Sequence, residues 1–511
     1  MKIIKVVIAL VTLLLCNISL TQTTDQSEKI SCIPCEEIKN IRLPDVIISQ
    51  TEQIQEPTPH CKVSGIIGTE INFELLLPKN WNTRFIMGGG GGFVGAVQNQ
   101  VSWTINQGYA TAGTDTGHTG PGLTAAWALN NMERQVNFAH LAVHRTAVES
   151  KEIIRQFYCS AVKYSYFVGC SQGGSQGMME AQRYPEDFDG VVAGAPAFNK
   201  VATGAENIQN AQAIYPDPTK LDEPVISSAN LELLQTKILE KCDAIDGITD
   251  QIINNPKACN FNVDSLPLCP ENVVSDNCVT SNQLAAIKAV YAGVYDQGLE
   301  IHPGFPFGGE NEHWGWLEWI VGPNQEAMRS GFPTMQFGIG TEMFKYLVFQ
   351  DPDWDYSSYD FSDFTNTTGY ASSYLDATAT NYGAFKKSGN KMIIYHGWSD
   401  NALSAFATIN HYETVEKEDE EIRDYIRLYL LPGVLHCGGG PGPSRTDWIE
   451  LIRNWVENGI APDRVILSKS ADEQILMTRP VFPYPNKSVY DGKGDPDKES
   501  SFNKSTTTNN K

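Results

Sequence analysis

The stretch from Tyr164 to Gly177 constrains the fold more than any other part of the chain. Tyr164 to Val168 are aromatic or β-branched apart from Ser165, which predicts a short buried strand. Gly169-Cys170-Ser171-Gln172-Gly173 follows and fits G-x-S-x-G, the nucleophile-elbow pattern. Met178 to Arg183 are good helix formers, and Pro185 ends them. Strand, tight turn and helix together are the context this pattern needs. Glycines on both sides of Ser171 permit a strained turn that lifts the serine hydroxyl above a sheet edge. The helix N-terminus then offers the Gln172 N–H to a developing oxyanion.

The rest of the chain supplies a sheet for such an elbow. Strands are predicted at Ile71–Pro78, Arg84–Met87, Tyr109–Thr114, Gly190–Gly194, Lys391–Tyr395 and Ile426–Leu431, with a helix from about Val136 to Tyr158 and another around Trp448–Val456. This alternation predicts an α/β fold with a mostly parallel sheet. From Phe198 to about Thr380 the rhythm lapses. Four cysteines fall between 242 and 278, and aromatics cluster at Trp314, Trp316, Trp319, Trp354, Tyr356 and Tyr359. We read this segment as an inserted lid over a sheet-top site. The expected organisation is therefore a leader at 1–22, a catalytic domain at 23–197 and 385–490, a lid domain at 198–384, and a disordered tail at 491–511.

The leader has the pattern of a secretory signal peptide. A basic start at Lys2 and Lys5 precedes an apolar run from Val6 to Leu15, too short to span a bilayer. No later segment reads as a membrane span. The expected location is secreted or periplasmic. Ten cysteines remain after Cys16, an even number that suits disulfides in an oxidising compartment. Their spacings do not give the paired C-x₂-C units of a zinc site. Asn366, Asn486 and Asn503 open N-glycosylation sequons. A formal net charge of -22 would repel phosphate backbones, which argues against nucleic acid as a partner.

Three residues complete a catalytic constellation in the order serine, acid, histidine: Ser171, Asp400 and His436. Asp400 and His436 each follow a predicted strand, at the loop ends where α/β sites form. Asp400 would fix the imidazole tautomer, His436 would shuttle the proton, and Ser171 would carry the acyl group. His396 and His118 are competing bases; His396 precedes the acid and fits the order less well. Five glycines, Gly88 to Gly92, end the strand at Arg84–Met87 and resemble an oxyanion loop, from which one N–H of Gly90 to Gly92, that of Gly91 for choice, is expected to donate beside Gln172. Cys170 precedes Ser171 and Cys437 follows His436. If the serine and histidine meet, these two cysteines could come within disulfide range, unless each pairs elsewhere.

These motifs resemble the tannase and feruloyl esterase family. The resemblance rests on Gly-Cys-Ser-x-Gly-Gly at 169–174, Gly-Trp-x-Asp at 397–400 and His-Cys-Gly-Gly-Gly at 436–440, and extends to Tyr184–Gly190 and Pro483–Pro485. It implies an α/β-hydrolase core with a lid, a Cys170–Cys437 bond, and hydrolysis of aromatic esters: feruloyl, galloyl or terephthalate monoesters of small alcohols, plant polysaccharides or polyphenols. It also implies a structural Ca²⁺ in the lid, held by the side chains of Asp243, Asp246 and Asp250 and the carbonyls of Ile248 and Ile252. Three carboxylates within eight residues around a turn glycine suit a hard cation, though the loop is no EF-hand. A Cys242–Cys259 bond would pin that loop, and Cys269 and Cys278 would complete the lid bonds. Ser175 stands where many relatives carry Arg, and Phe482 and the tail after Phe502 replace the family's C-terminal cysteine pair. Cys159 is additional and expected to pair with Cys32 or Cys35. The expected activity is a secreted serine esterase for aromatic acyl groups. A tannase, a terephthalate-monoester hydrolase or a general carboxylesterase, rather than a feruloyl esterase, is the rival within the class, and a catalytically inactive, calcium-stabilised binding protein is the rival outside it.

Overall fold

The structure is a computed structural model that describes residues 31–505. The expected leader at 1–22 lies outside the described residues. Nine strands form the main sheet: β1 (Val46–Ile54), β2 (His60–Ile67), β3 (Ile71–Pro78), β4 (Arg84–Gly88), β5 (Ala110–Thr114), β6 (Tyr164–Cys170), β7 (Gly190–Gly194), and, after the small lid hairpin β8 (Val294–Asp296) and β9 (Leu299–His302), β10 (Lys391–Gly397) and β11 (Ile426–Leu431). Their order is β1-β2-β3-β5-β4-β6-β7-β10-β11. The run from β1 through β3 to β5 pairs antiparallel, and everything from β5 to β11 pairs parallel.

The pattern of side chains explains this division. β7 is buried at every position, and β4 at all but its first, as parallel strands covered on both faces must be. β2 and β3 alternate between buried and half-buried residues, as antiparallel strands with one wetter face do. Helices α1 (Met132–Val136), α2 (Ala142–Tyr158) and α3 (Gln172–Arg183) follow β5 and β6. Ile153 and Ile154 of α2 and Met178 and Met179 of α3 pack one face of the sheet around Phe167 and Val191. Burying each such side chain contributes about 1.5–3 kcal/mol.

The segment read as a lid is helical: α4 (Lys200–Ile214), α5 (Ser228–Cys242), α6 (Ser281–Tyr291), α7 (Gln325–Arg329), α8 (Met335–Met343), α9 (Phe364–Leu375) and α10 (Gly383–Lys387). Its core, with Trp316 fully buried, is continuous with Phe93, Trp127 and Phe138 above the sheet. α11 (Ala405–Glu418) joins the first face of the sheet through Ile409 and Tyr412, and α12 (Trp448–Asn458) covers the other through Ile452 and Trp455. Among the described residues no helix is long and apolar enough to cross a membrane.

The C-terminal end differs from the sequence reading. β12 (Val465–Ala471) and β13 (Gln474–Val481) form a hairpin, and β14 (Ser488–Tyr490) pairs antiparallel with β15 (Phe502–Lys504). The expected disorder from 491 is thus incorrect for the described residues 491–505. One buried aromatic, Phe502, anchors an otherwise polar segment by packing under the Arg479 guanidinium and against Tyr490. Among the described residues five disulfides are present: Cys32–Cys159, Cys35–Cys61, Cys170–Cys437, Cys242–Cys259 and Cys269–Cys278.

Candidate active site

The parallel register brings the site together. Cys170 of β6 and Tyr395 of β10 both align with Gly194 of β7, and Gly397 of β10 aligns with Leu431 of β11. The loops after β6, β10 and β11 therefore leave one edge of the sheet, and they carry Ser171, Asp400 and His436.

Ser171 sits at φ 65°, ψ −123°, a conformation that costs about 1–3 kcal/mol for a residue with a side chain. The strain is held by the Ser171 N–H, which donates to the Gly194 carbonyl, and by the Ser171 carbonyl, which accepts from Ala197. Gly173 is required by close approach: a Cβ there would stand 2.9 Å from the Gln100 side chain and 3.2 Å from the Gly89 Cα. Cys170 and Cys437 are bonded, with Cα atoms 5.9 Å apart, so the chain neighbours of Ser171 and His436 are covalently joined.

His436 Nδ1 lies 2.8 Å from Asp400 Oδ2. The same oxygen meets His396 Nε2 at 3.2 Å, and Asp400 Oδ1 accepts the N–H groups of Ala402 and Leu403. Burial alone would raise the Asp400 pKa. The charge of His436 and hydrogen bonds from His396 and His436 outweigh it and hold the carboxyl well below the usual range. His396 is fully buried and uses Nδ1 on Thr408, so it braces the acid rather than facing the cavity. His118 is equally buried; it lies 2.9 Å from the Phe93 carbonyl and stacks on Trp127, and burial lowers its pKa to about 4.

The glycine loop corrects one expectation. The Gly91 N–H, expected in the oxyanion hole, donates to Gln98 Oε1 at 2.9 Å, and the Gly90 N–H donates to Gln176 Oε1 at 3.1 Å. These two glutamines hold the loop's shape. The Gly92 N–H forms no hydrogen bond among the described residues, and Gly92 lines the cavity beside Ser171 and Gln172.

That cavity holds about 110 Å³ and is walled by Phe93, Leu123, Phe138, Met335, Ile339 and Met343. Ser171, Gln172, Gly92 and His436 form its reactive end. On the other side of His436 an open cleft of about 540 Å³ is lined by Glu312, His313, Trp314 and Gly438–Gly440. Trp319 borders both spaces, its ring edge-on to His436 at 5.1 Å. Sequence reasoning missed Trp319 as a site residue, and it missed the cavity face of α4. The signal for that face was present: Lys200, Thr203, Gly204 and Asn207 stand at i, i+3, i+4 and i+7.

The aspartates of the lid loop lie after α5. Asp243 accepts the N–H groups of Asp250 and Gln251, Asp246 that of Ile248, and Asp250 that of Ile252. Asp250 also pairs with the buried Arg479 at 2.7 Å. Asp246 Oδ2 is buried without a partner, and burial pushes the Asp246 carboxyl up to about 6 and the Asp243 carboxyl upward. An orphaned buried oxygen among carboxylates short of positive charge fits a hard divalent cation. The three side chains do not converge as closely as His144, Glu180 and Asp187, whose ligand atoms lie within 4.8 Å of one another between α2 and α3. That second group is already beside a cation, since Lys151 donates to the Asp187 carbonyl.

The sheet order, the strained serine at the β6 elbow and the acid–histidine pair at the same edge define an α/β-hydrolase. Comparison with known proteins narrows this. The model for the family "Tannase and feruloyl esterase" matches residues 56–505, and the chain belongs to that family. It is a carboxylic ester hydrolase. It is 31% identical to a mono(2-hydroxyethyl) terephthalate hydrolase of Piscinibacter sakaiensis, covering 87% of this chain and 84% of that one, and 30% identical to feruloyl esterase B of Aspergillus niger, covering 89% and 88%. Among solved structures, feruloyl esterase B from Aspergillus oryzae superposes with a TM-score of 0.81 at 25% identity, over 92% of this chain and 99% of that one. Tannin acyl hydrolase from Aspergillus niger, at 18% identity and TM-score 0.74 over 93% and 95%, shares the fold.

Proposed function

We propose that the protein is a secreted serine esterase that hydrolyses esters of aromatic carboxylic acids through an acyl-enzyme. The observation that carries this is the shared wall of Ser171 and His436 in one apolar cavity, with the far nitrogen of His436 fixed by the buried Asp400. Asp400 keeps the Nδ1 proton on His436, which frees Nε2 to take the Ser171 proton. Ser171 Oγ attacks the ester carbonyl, and the oxyanion is met by the N–H groups of Gln172 and Gly92. His436 returns its proton to the alcohol, so the alcohol lies in the open cleft on the His436 side and the acyl ring in the enclosed cavity. Water deprotonated by His436 then releases the acid. The lid loop would hold Ca²⁺ through Asp243, Asp246 and Asp250, supplying charge that steadies the lid. Five disulfides and the leader pattern support an oxidising, extracellular setting.

The test is hydrolysis of methyl ferulate, methyl gallate and mono(2-hydroxyethyl) terephthalate by wild type and Ser171→Ala, with labelling by a fluorophosphonate probe. Turnover and labelling that both vanish in Ser171→Ala support the reading. A probe-silent wild type that turns over none of the three overturns it in favour of a binding protein.

A further inference from the structure

The open cleft on the far side of His436 has a chemistry of its own. Trp319 lies edge-on to His436 with 5.1 Å between ring centres, and Trp314 stands 6.3 Å beyond Trp319, tilted by 57°. Two indole rings thus run outward from the histidine along the cleft. Trp314 is 37% exposed and sits at φ 65°, a conformation that a bulky side chain rarely adopts. Glu318 holds it there: Oε2 accepts the Trp314 N–H at 3.0 Å, and Oε1 lies 3.1 Å from His313 Nδ1. Strain that presents an indole ring to solvent beside His436 points to a ligand that the ring receives. Glu312 supplies charge. It lines the same cleft, and one of its oxygens accepts from Gln235 Nε2. Among the described residues no cation pairs with Glu312, and no lysine or arginine lines the cleft. Lys469 is committed to the Gly440 and Pro441 carbonyls.

These features select among alcohols. An anionic alcohol meets the Glu312 charge and is repelled. A neutral sugar can stack on an indole, but its hydroxyls need directed partners. In this cleft His313 Nδ1 is already engaged with Glu318, Glu312 is shared with Gln235, and much of the remaining lining is Leu435 and Gly438 to Gly440. A quaternary ammonium needs no hydrogen bond. Aromatic rings within about 6 Å and an unbalanced carboxylate hold it, and its charge suits a chain of net charge -22. Resting on the esterase reading above, we propose that Trp314, Trp319 and Glu312 form a cation subsite, so that the enzyme prefers aromatic esters whose alcohol carries a fixed positive charge, as choline does. The ester C–O bond breaks as it does for a neutral alcohol. The departing oxygen takes the His436 proton, the alcohol leaves with its ammonium charge unchanged, and water then releases the acid.

The experiment compares kcat/KM for the choline, 3,3-dimethylbutyl and methyl monoesters of ferulate, gallate and terephthalate, and for a feruloyl arabinose, in wild type, Glu312→Gln and Trp314→Ala. The dimethylbutyl group has the shape of choline without its charge. Each rate is divided by that of hydroxide-catalysed hydrolysis of the same ester, which removes differences in intrinsic reactivity. Melting curves report folding. Binding of the choline and dimethylbutyl esters to Ser171→Ala is measured by calorimetry. The expected result is a preference of about 5- to 30-fold for the choline ester over its neutral isostere. That preference should fall toward unity in Glu312→Gln and in Trp314→Ala, and calorimetry should give the same order of affinities. Turnover with no preference for the charged alcohol, a preference that either variant leaves intact, or faster turnover of the feruloyl arabinose than of feruloylcholine overturns this proposal and leaves the esterase reading standing. Selective binding of a choline ester without turnover of any ester overturns the esterase reading instead. Neither binding nor turnover overturns both.

Discussion

Cys170 and Cys437 are bonded to each other, and each is the chain neighbour of a residue at the reactive end of the cavity: Ser171 on one side, His436 on the other. The bond spans 267 residues of sequence, and by loop-closure entropy it removes roughly 5 kcal/mol of freedom from the unfolded chain. It also fixes the distance between two loops that no regular structure joins directly.

Replacing both cysteines by serine should therefore lower kcat by about 10- to 100-fold and leave KM less affected, because small displacements at a reacting pair are costly. Steady-state kinetics beside a thermal melt will separate misalignment from unfolding. A kcat equal to wild type in a folded double variant would show that the bond serves stability alone.

Asp400→Asn should reduce kcat by about 10³- to 10⁴-fold, since an amide favours the wrong His436 tautomer. His396→Phe should cost far less, because His396 only braces the acid. The sign of the pH effect on stability follows from the depressed Asp400 pKa. Its contribution is present above the unfolded value near 4 and is lost as pH falls toward the folded one. Urea unfolding between pH 3 and 6 should show this loss in wild type and a weaker one in Asp400→Asn.

In the glycine loop, Gly91→Ala and Gly92→Ala should differ sharply. A Cβ on Gly91 finds nothing nearer than Gln98 Oε1 at 3.9 Å. On Gly92, at φ +54°, it would stand 2.4 Å from the Gly122 carbonyl. Gly92→Ala should lose most activity, and Gly91→Ala should retain much of it. Equal loss in the two would return Gly91 to the oxyanion hole.

Calcium should be read out by pH. Asp246, raised to about 6 by burial, favours the folded state while protonated, so without metal its contribution is lost as pH rises from its unfolded value near 4 through 6. A bound cation reverses that preference. The melting-temperature gap between calcium-loaded and chelated protein should widen from pH 4 to pH 7 and shrink in Asp246→Asn. A gap that is zero at every pH would remove calcium from the lid loop.

The elbow was legible because a buried strand, a G-x-S-x-G turn and a helix are each local patterns, and strand periodicity placed Asp400 and His436 at loop ends. What stayed hidden depends on which side chains meet in space. Nothing near Gly91 announces that Gln98 takes its N–H, or that Gln176, 86 residues on, takes that of Gly90. The polar run after Asp491 read as disorder because its anchor is one residue, Phe502, whose partner Arg479 lies on another hairpin.

The two spaces flanking His436 differ in a way that bears on which product lingers. The apolar cavity has a volume of about 110 Å³, while the cleft beside it has about 540 Å³ and is the more open of the two. On the proposed placement the alcohol lies in the wider cleft, so esters of long alcohols should be turned over as well as methyl esters. The acid departs last, through the mouth by which it entered. Product inhibition should accordingly come from the free acid, and depletion of that acid by its consumers would govern how long one molecule of enzyme keeps working on a large substrate.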